Sequence, residues 1–184
     1  MPRNALLITG GAGFIGANYI PYFLEQRQDT MVVNLDKITY AGDLKNLAEI
    51  SAHENYMFVE GDICNRVLIE ELFTKYDFKA VIHFAAESHV DNSIKNPDAF
   101  IQTNIFGTFN VLDVAKKFWM DGPNQFKEGC EQCRFHHIST DEVYGTLGET
   151  GLFTEDTSYA PNSPYSASKA SSDFIVRSYF IHTE

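Results

Sequence analysis

This chain predicts an α/β fold, a doubly wound parallel sheet of about five βα units, and three observations carry the prediction. Short β-rich runs alternate with longer helical patterns along the 184 residues, the pattern left when each strand is followed by a helix that packs back on the sheet. A glycine-rich turn, TGGAG at 9–13, follows the first apolar run and opens the first helical pattern. No repeat or low-complexity stretch divides the sequence, and its length suits a single domain, residues 1–184, with a sizeable core.

The elements follow in order. ALLIT (5–9) is strand one, and the glycine turn after it leads into a helix near 14–26. MVVNLD (31–36) is strand two. YMFVE (56–60) is strand three, with a helix near 65–76 behind it. AVIHFAA (80–86) is strand four. A long helix near 98–119 follows, its apolar positions including Ile101, Ile105, Val111, Leu112 and Ala115. RFHHIS (134–139) is strand five, and a last helix starts near Pro164 and runs almost to the end. Two long loops remain, 120–133 and 145–162, and loops of that length are often functional.

Composition narrows the function. Hydrophobic residues make up 44% and charged ones 21%, ordinary for a globular protein. No apolar run approaches the roughly 18 residues of a membrane helix. The N-terminus runs straight into the glycine turn without a small-residue cleavage site, so no signal peptide is expected and a cytoplasmic location is the default. A net charge of -11, from 25 acidic against 14 basic residues, repels nucleic acid. It also repels anionic metabolites, so such a ligand needs local help, as from a helix N-terminus. Three cysteines argue against a disulfide framework. Cys130 and Cys133 form a lone C-x-x-C without a second ligand pair, so no metal site is expected. His136 and His137 alternate along a strand and should face opposite sides of the sheet as structural residues.

Two constellations carry chemistry. In ITGGAGFIG (8–16), Gly10, Gly13 and Gly16, with Gly11 among them, sit between a strand and a helix. There the backbone can approach a pyrophosphate while free N–H groups and the helix dipole meet its charge. Asp36 ends strand two, 20 positions after Gly16, where a carboxylate can hold the ribose hydroxyls of an adenosine. That carboxylate repels a 2′-phosphate and so favours NAD over NADP, a preference that Lys37 slightly weakens. Together these features predict a Rossmann-like dinucleotide fold. Tyr165 and Lys169 are spaced i, i+4, on one face of the last helix. A neighbouring ammonium is expected to favour the phenolate, making the tyrosine a usable base for a substrate hydroxyl.

With these motifs on the page, the chain resembles the extended short-chain dehydrogenase/reductase (NAD-dependent epimerase/dehydratase) superfamily. Within it, the chain is similar to the dTDP-glucose 4,6-dehydratases. The resemblance runs from about residue 4 to 180 and rests on TGGAGFIG, NLDKITYAGDLKNL, GDIC, HFAAESHVDNSI, TNIFGT, HHISTDEVYG and YAPNSPYSASKASSD. It implies that Ile15, Gly16, Asp36, Lys37, Thr39, Asp62 and Ile63 line the adenosine and pyrophosphate half of NAD. Ala85, Ala86, Glu87, Ser88 and Thr103 would line the nicotinamide side, with Tyr165 and Lys169 as the hydride-transfer pair. Ser88 and Thr140 would touch the sugar of a dTDP-glucose substrate.

The resemblance also assigns the adjacent carboxylates of STDEVYG. Oxidation at C4 of the hexose acidifies the hydrogen at C5. Glu142 would remove that proton while Asp141 protonates the departing C6 hydroxyl. One acid must then be ionised and the other protonated, a separation expected from burial and mutual repulsion. Asn92 stands where these enzymes usually carry arginine. The sixth strand and substrate domain of the family are expected to be missing from this sequence, so a truncated chain is expected. The resemblance implies that the helices near 98–119 and 165–181 pair across a two-fold axis in a homodimer, and the apolar residues around both, including Phe109, Phe118, Phe174 and Ile175, fit burial on two sides. A nucleotide-sugar epimerase, which needs no acid pair, and a non-catalytic NAD-binding fragment are the alternative readings.

Overall fold

Five runs rich in β-branched and aromatic residues pair as parallel strands in the computed structural model, which describes residues 4–181. They are Ala5–Thr9 (β1), Met31–Asp36 (β2), Tyr56–Glu60 (β3), Phe78–His83 (β4) and Arg134–His137, which is β7 because a small antiparallel hairpin (β5, Met120–Gly122; β6, Gln125–Phe126) precedes it. The sheet order is β3-β2-β1-β4-β7. The chain thus steps outward from β1 to β3, then crosses to the other side of β1 and resumes at β4. This doubly wound, Rossmann-like arrangement is the expected one, and β7 lies at an edge with β4 as its partner.

Alternation along the strands fills both faces, because successive side chains point to opposite sides. Ala5 and Leu7 of β1, with Val33, Leu35 and Val81, pack on Ile69, Leu72 and Phe73 of α2 (Arg66–Lys75) and on Val111, Val114 and Trp119 of α5 (Thr108–Trp119). Leu6 and Ile8 pack on the other side against Ala17, Ile20 and Leu24 of α1 (Phe14–Gln26). Cys130 and Cys133 are buried in the first of these clusters, and burial pushes the Cys133 thiol up to about 12. A thiol so shifted is an unreactive packing group.

The structure shifts several expected boundaries. Strand four begins two residues early and stops at His83, where its neighbour stops: the Phe84 N–H makes a 3.0 Å bond to the Thr9 carbonyl, and the apolar run that follows leaves the sheet. Strand five likewise ends at His137. The expected helix over 98–119 is a composite of α4 (Pro97–Phe100), a π-wound stretch (Ile101–Gly107) and α5. Elements not anticipated include a 3-10 stretch at Leu44–Ile50, α3 (Val90–Lys95), on which Asn92 is exposed, the hairpin within the expected loop 120–133, and a 3-10 turn at Asp141–Tyr144. Helices at 14–26 and from Pro164 (α6, Pro164–Ile181) are as expected. His136 is exposed and His137 turned inward, so the two imidazoles do take opposite faces.

Candidate active site

The reversal of strand order between β1 and β4 opens a cleft of about 510 Å³ at the carboxyl ends of the strands. In a sheet of this topology that is where a ligand fits. The glycine turn forms its floor. Gly10 has φ +72°, and a Cβ there would lie 2.5 Å from the Ala85 backbone, so only glycine lets β1 and the segment after β4 approach this closely. A Cβ on Gly16 would meet the Gly11 Cα at 2.5 Å, which seats α1 against the turn. Asn34 fixes the turn from below, accepting from the Gly11 N–H at 3.1 Å and donating to the Tyr56 hydroxyl at 3.0 Å. Gly13 is different: a Cβ there would meet nothing closer than 3.4 Å, so its bareness serves the cleft rather than packing. α1 starts at this point with no side-chain cap and no acidic residue in its first turn, leaving N–H groups for an anion.

Carboxylates border the other half of the cleft. Asp36 accepts from the Ala12 N–H at 2.9 Å and the Ile38 N–H at 2.8 Å, which fixes its carboxyl at the rim with lone pairs to spare. Ile38 pays for this turn with φ 50°, a left-handed conformation that a β-branched residue rarely takes. Lys37 reaches across to Asp62 at 3.3 Å. Burial raises the Asp62 carboxyl, but the Cys64 N–H and the Lys37 ammonium outweigh it and the net shift is downward.

At the far end stand Tyr165 and Lys169, 9% and 4% exposed. Both line the cleft from the same face of α6, but their electrostatics differ from the sequence expectation. Burial pushes the Tyr165 phenol up, a hydrogen bond with Thr140 pulls it down, and the charges of Glu142, Asp141 and Asp173 push it up again. Lys169 is shifted as well. Burial holds its ammonium down to about 8, against the pull of Asp173, and Nζ donates to the Ile138 carbonyl at 2.6 Å. Thr140 accepts from the Glu142 N–H at 3.3 Å, capping the 3-10 turn Asp141–Tyr144. The two carboxylates on that turn are exposed, so the burial expected to set them apart is absent among the described residues.

Of the residues singled out from sequence, Gly10, Gly13, Ile15, Gly16, Asp36, Lys37, Thr39, Ile63, Ala85, Ala86, Glu87, Ser88, Thr103, Tyr165 and Lys169 all line this one cleft. Asp62 stands behind Lys37, and Thr140, Asp141 and Glu142 stand outside the lining, tied to it through Tyr165. Ile63 serves twice, as core and as lining. Sequence reasoning missed Leu35, Gly61, Ile138 and Ser139, although each lies at a strand's carboxyl end, where the sheet topology alone could have found them. It also missed Asn104. That buried amide accepts from the Glu87 N–H at 2.8 Å and donates to the Glu87 carbonyl at 3.0 Å and to Ser168 Oγ at 2.8 Å, clamping the segment after β4 to α6.

Known proteins resemble this chain in sequence and fold. A dTDP-glucose 4,6-dehydratase from Neisseria meningitidis is 53% identical over 175 residues, covering 95% of this chain and 48% of the relative. The crystal structure of a dTDP-glucose 4,6-dehydratase from Bacillus anthracis in complex with NAD matches with a TM-score of 0.80 and 42% identity, over 97% of this chain and 51% of that one. That of DesIV, a dTDP-glucose 4,6-dehydratase from Streptomyces venezuelae with NAD and TYD bound, matches with a TM-score of 0.83 and 40% identity, over 96% and 52%. The chain therefore spans about half the length of the relatives it matches. The family model described as GDP-mannose 4,6 dehydratase covers residues 7–183, from the first strand through both candidate catalytic pairs, and the chain belongs to that family.

Proposed function

We propose that the protein is an NAD-dependent nucleotide-sugar 4,6-dehydratase, a hydro-lyase that converts dTDP-glucose to dTDP-4-keto-6-deoxyglucose. Residues 1–184 supply its cofactor-binding domain and its catalytic groups. One observation carries the reading: Tyr165 and Lys169 line the cleft with Ile138 and Ser139, and the Thr140-capped turn bearing Asp141 and Glu142 follows these directly, which brings an acid pair to the rim that holds the proton-transfer pair. An epimerase has no use for the second pair. The dTDP-glucose assignment, against the GDP-mannose of the family description, rests on the relatives named above.

The residues fit NAD. The bare Gly13, the uncapped start of α1 and the Asp36 carboxyl form a donor and acceptor set suited to a pyrophosphate next to a ribose diol. When bound, NAD supplies the hydride acceptor and donor of an internal redox cycle that ends where it began. Tyr165 takes the C4 hydroxyl proton, and the Lys169 ammonium nearby offsets the charge that develops on the phenol oxygen. Glu142 takes the C5 proton made acidic by the C4 ketone. Asp141 gives its proton to the C6 hydroxyl, which leaves as water, while Ser88 and Thr140 hold the sugar.

Incubating the chain with NAD and dTDP-glucose and following loss of water by mass spectrometry tests the reading. Glu142→Gln is expected to stop water loss and leave C4 oxidation, seen as NADH absorbance. Equal loss of both steps would overturn the roles given to the two pairs. We propose a homodimer as well, supported by the exposure of Ile101, Phe106 and Phe174 (50%, 46% and 53%) along the two helical segments. A monomer in sedimentation equilibrium at high concentration would exclude it. A cytoplasmic location goes with this reading and is tested by cell fractionation. Three unpaired thiols, suited to a reducing compartment, support it.

A further inference from the structure

Asp173 lies one helical turn beyond Lys169 on α6, and no step of the proposed reaction uses it. Its side chain is only 11% exposed, yet three polar groups gather on it. Ser139 Oγ donates to Oδ2 at 2.6 Å, and the Tyr159 hydroxyl donates to the same oxygen at 3.0 Å. His137 Nε2 lies 3.0 Å from Oδ1, and the Lys169 ammonium feels the same carboxylate. These groups come from the exit of β7, the loop 145–162 and α6 itself.

We propose that Asp173 is the positioning residue of this site: it keeps Lys169 in its charged, Ile138-bound state and, through Tyr159, fastens the Asp141–Glu142 turn to the same helix.

The first half follows from what faces Lys169. On α6 these are Tyr165 and Asp173, and on the sheet His83 of β4 and His137 of β7, with the Ile138 carbonyl as hydrogen-bond acceptor. Both imidazoles are shifted toward their neutral forms, chiefly by burial and partly by the Lys169 charge. Against that burial, Asp173 is the carboxylate that favours the ammonium. The second half follows from packing. The Tyr159 ring sits 5.4 Å from that of Tyr144, at the end of the acid-bearing turn, and 5.0 Å from that of Phe174 on α6. The Ala160 N–H donates to the Val143 carbonyl at 2.9 Å. Asp173 therefore sits where both pairs of reacting groups are anchored.

The inference rests on the reading of Tyr165 and Lys169 as the hydride-transfer pair, and its test needs neither NAD nor substrate. In the full chain labelled with ¹³C-lysine, the Lys169 Cε resonance, identified by its disappearance in Lys169→Arg, is followed with pH. Asp173→Asn is expected to lower the midpoint by about one pH unit, and Asp173→Glu to restore most of it. An unchanged midpoint in a folded Asp173→Asn overturns the first half. Should that variant fail to fold, Ser139→Ala serves: it removes a donor from the carboxylate and must raise the midpoint, and no rise overturns the idea. Tyr159→Phe is expected to quicken cleavage after Glu142 by a glutamate-specific protease several-fold, and an unchanged rate overturns the second half. Loss of NAD binding by the unmodified chain would sink the dehydratase reading and leave these results standing.

Discussion

His83 is closed off between Thr9 Oγ1, 2.7 Å from Nδ1, and Thr108 Oγ1, 2.9 Å from Nε2, with the His137 ring stacked 5.6 Å away. Burial first, then the charges of His137 and Lys169, drives its pKa well below the ordinary 6.5. The folded state thus keeps His83 neutral while the unfolded chain takes up a proton. Its contribution to stability is whole above the unfolded value and is lost as the pH falls from there toward the folded one. Chemical denaturation from about pH 7.5 down to 5 should show stability declining below about 6.5. His83→Gln is expected to reduce that slope by about one proton, roughly 1.4 kcal/mol per pH unit. A slope unchanged in the variant would mean that His83 is not the acid-sensitive group. His137, lowered chiefly by burial as well, supports the remaining slope.

The glycine turn and α1 can be separated by single methyl groups. Gly16→Ala sets a Cβ against backbone atoms at 2.5 and 2.8 Å and should cost about 1–3 kcal/mol in thermal or denaturant unfolding. Gly148→Ala, with nothing within 4 Å, should be neutral. Gly13→Ala is the informative case: its φ is -73° and its space is open, so the variant should fold as well as the parent and bind NAD at least about tenfold more weakly in calorimetry. Normal binding there would mean that the cleft holds its ligand elsewhere. This turn was legible in the sequence because spacing and flanking elements fix it. The π-wound stretch 101–107 was not, since its apolar and polar positions read equally well as α-helix. Its wider turn puts both Thr103 and Asn104 inside, 6% and 1% exposed, where one lines the cleft and the other clamps Glu87. Tyr165 and Lys169 were legible as neighbours, but their mutual tuning was not. Burial, which a single chain of letters does not display, raises the phenol and lowers the ammonium. The same holds for the acid pair, whose exposure depends on what the rest of the fold lays over it.

Across the whole molecule, the sheet order decides where chemistry can happen. All five strands point their carboxyl ends the same way, so the segments after β1, β2, β3, β4 and β7 each bring residues to one rim. The negative field of a chain with net charge -11 is offset at that rim by the start of α1 and by Lys37 and Lys169. Binding of an anionic dinucleotide should therefore weaken only modestly when salt is raised, because helix N–H groups and buried ammonium are poorly screened. A steep loss of NAD affinity between about 0.05 and 0.5 M salt would point instead to exposed surface charge as the anchor.

The strand at the rim of the sheet carries one more consequence. The Ile138 N–H points to the His83 carbonyl, so by the two-residue period the amides of Arg134 and His136 also face β4, and those of Phe135 and His137 face away. Deuterium uptake along β7 should accordingly alternate, slow at 136 and fast at 135 and 137, for as long as β4 is the strand's partner. Whatever comes to lie alongside, whether another strand of the same polypeptide or a second copy, would erase that alternation. Five consecutive amides thus carry an isotopic record of whether the sheet has been extended.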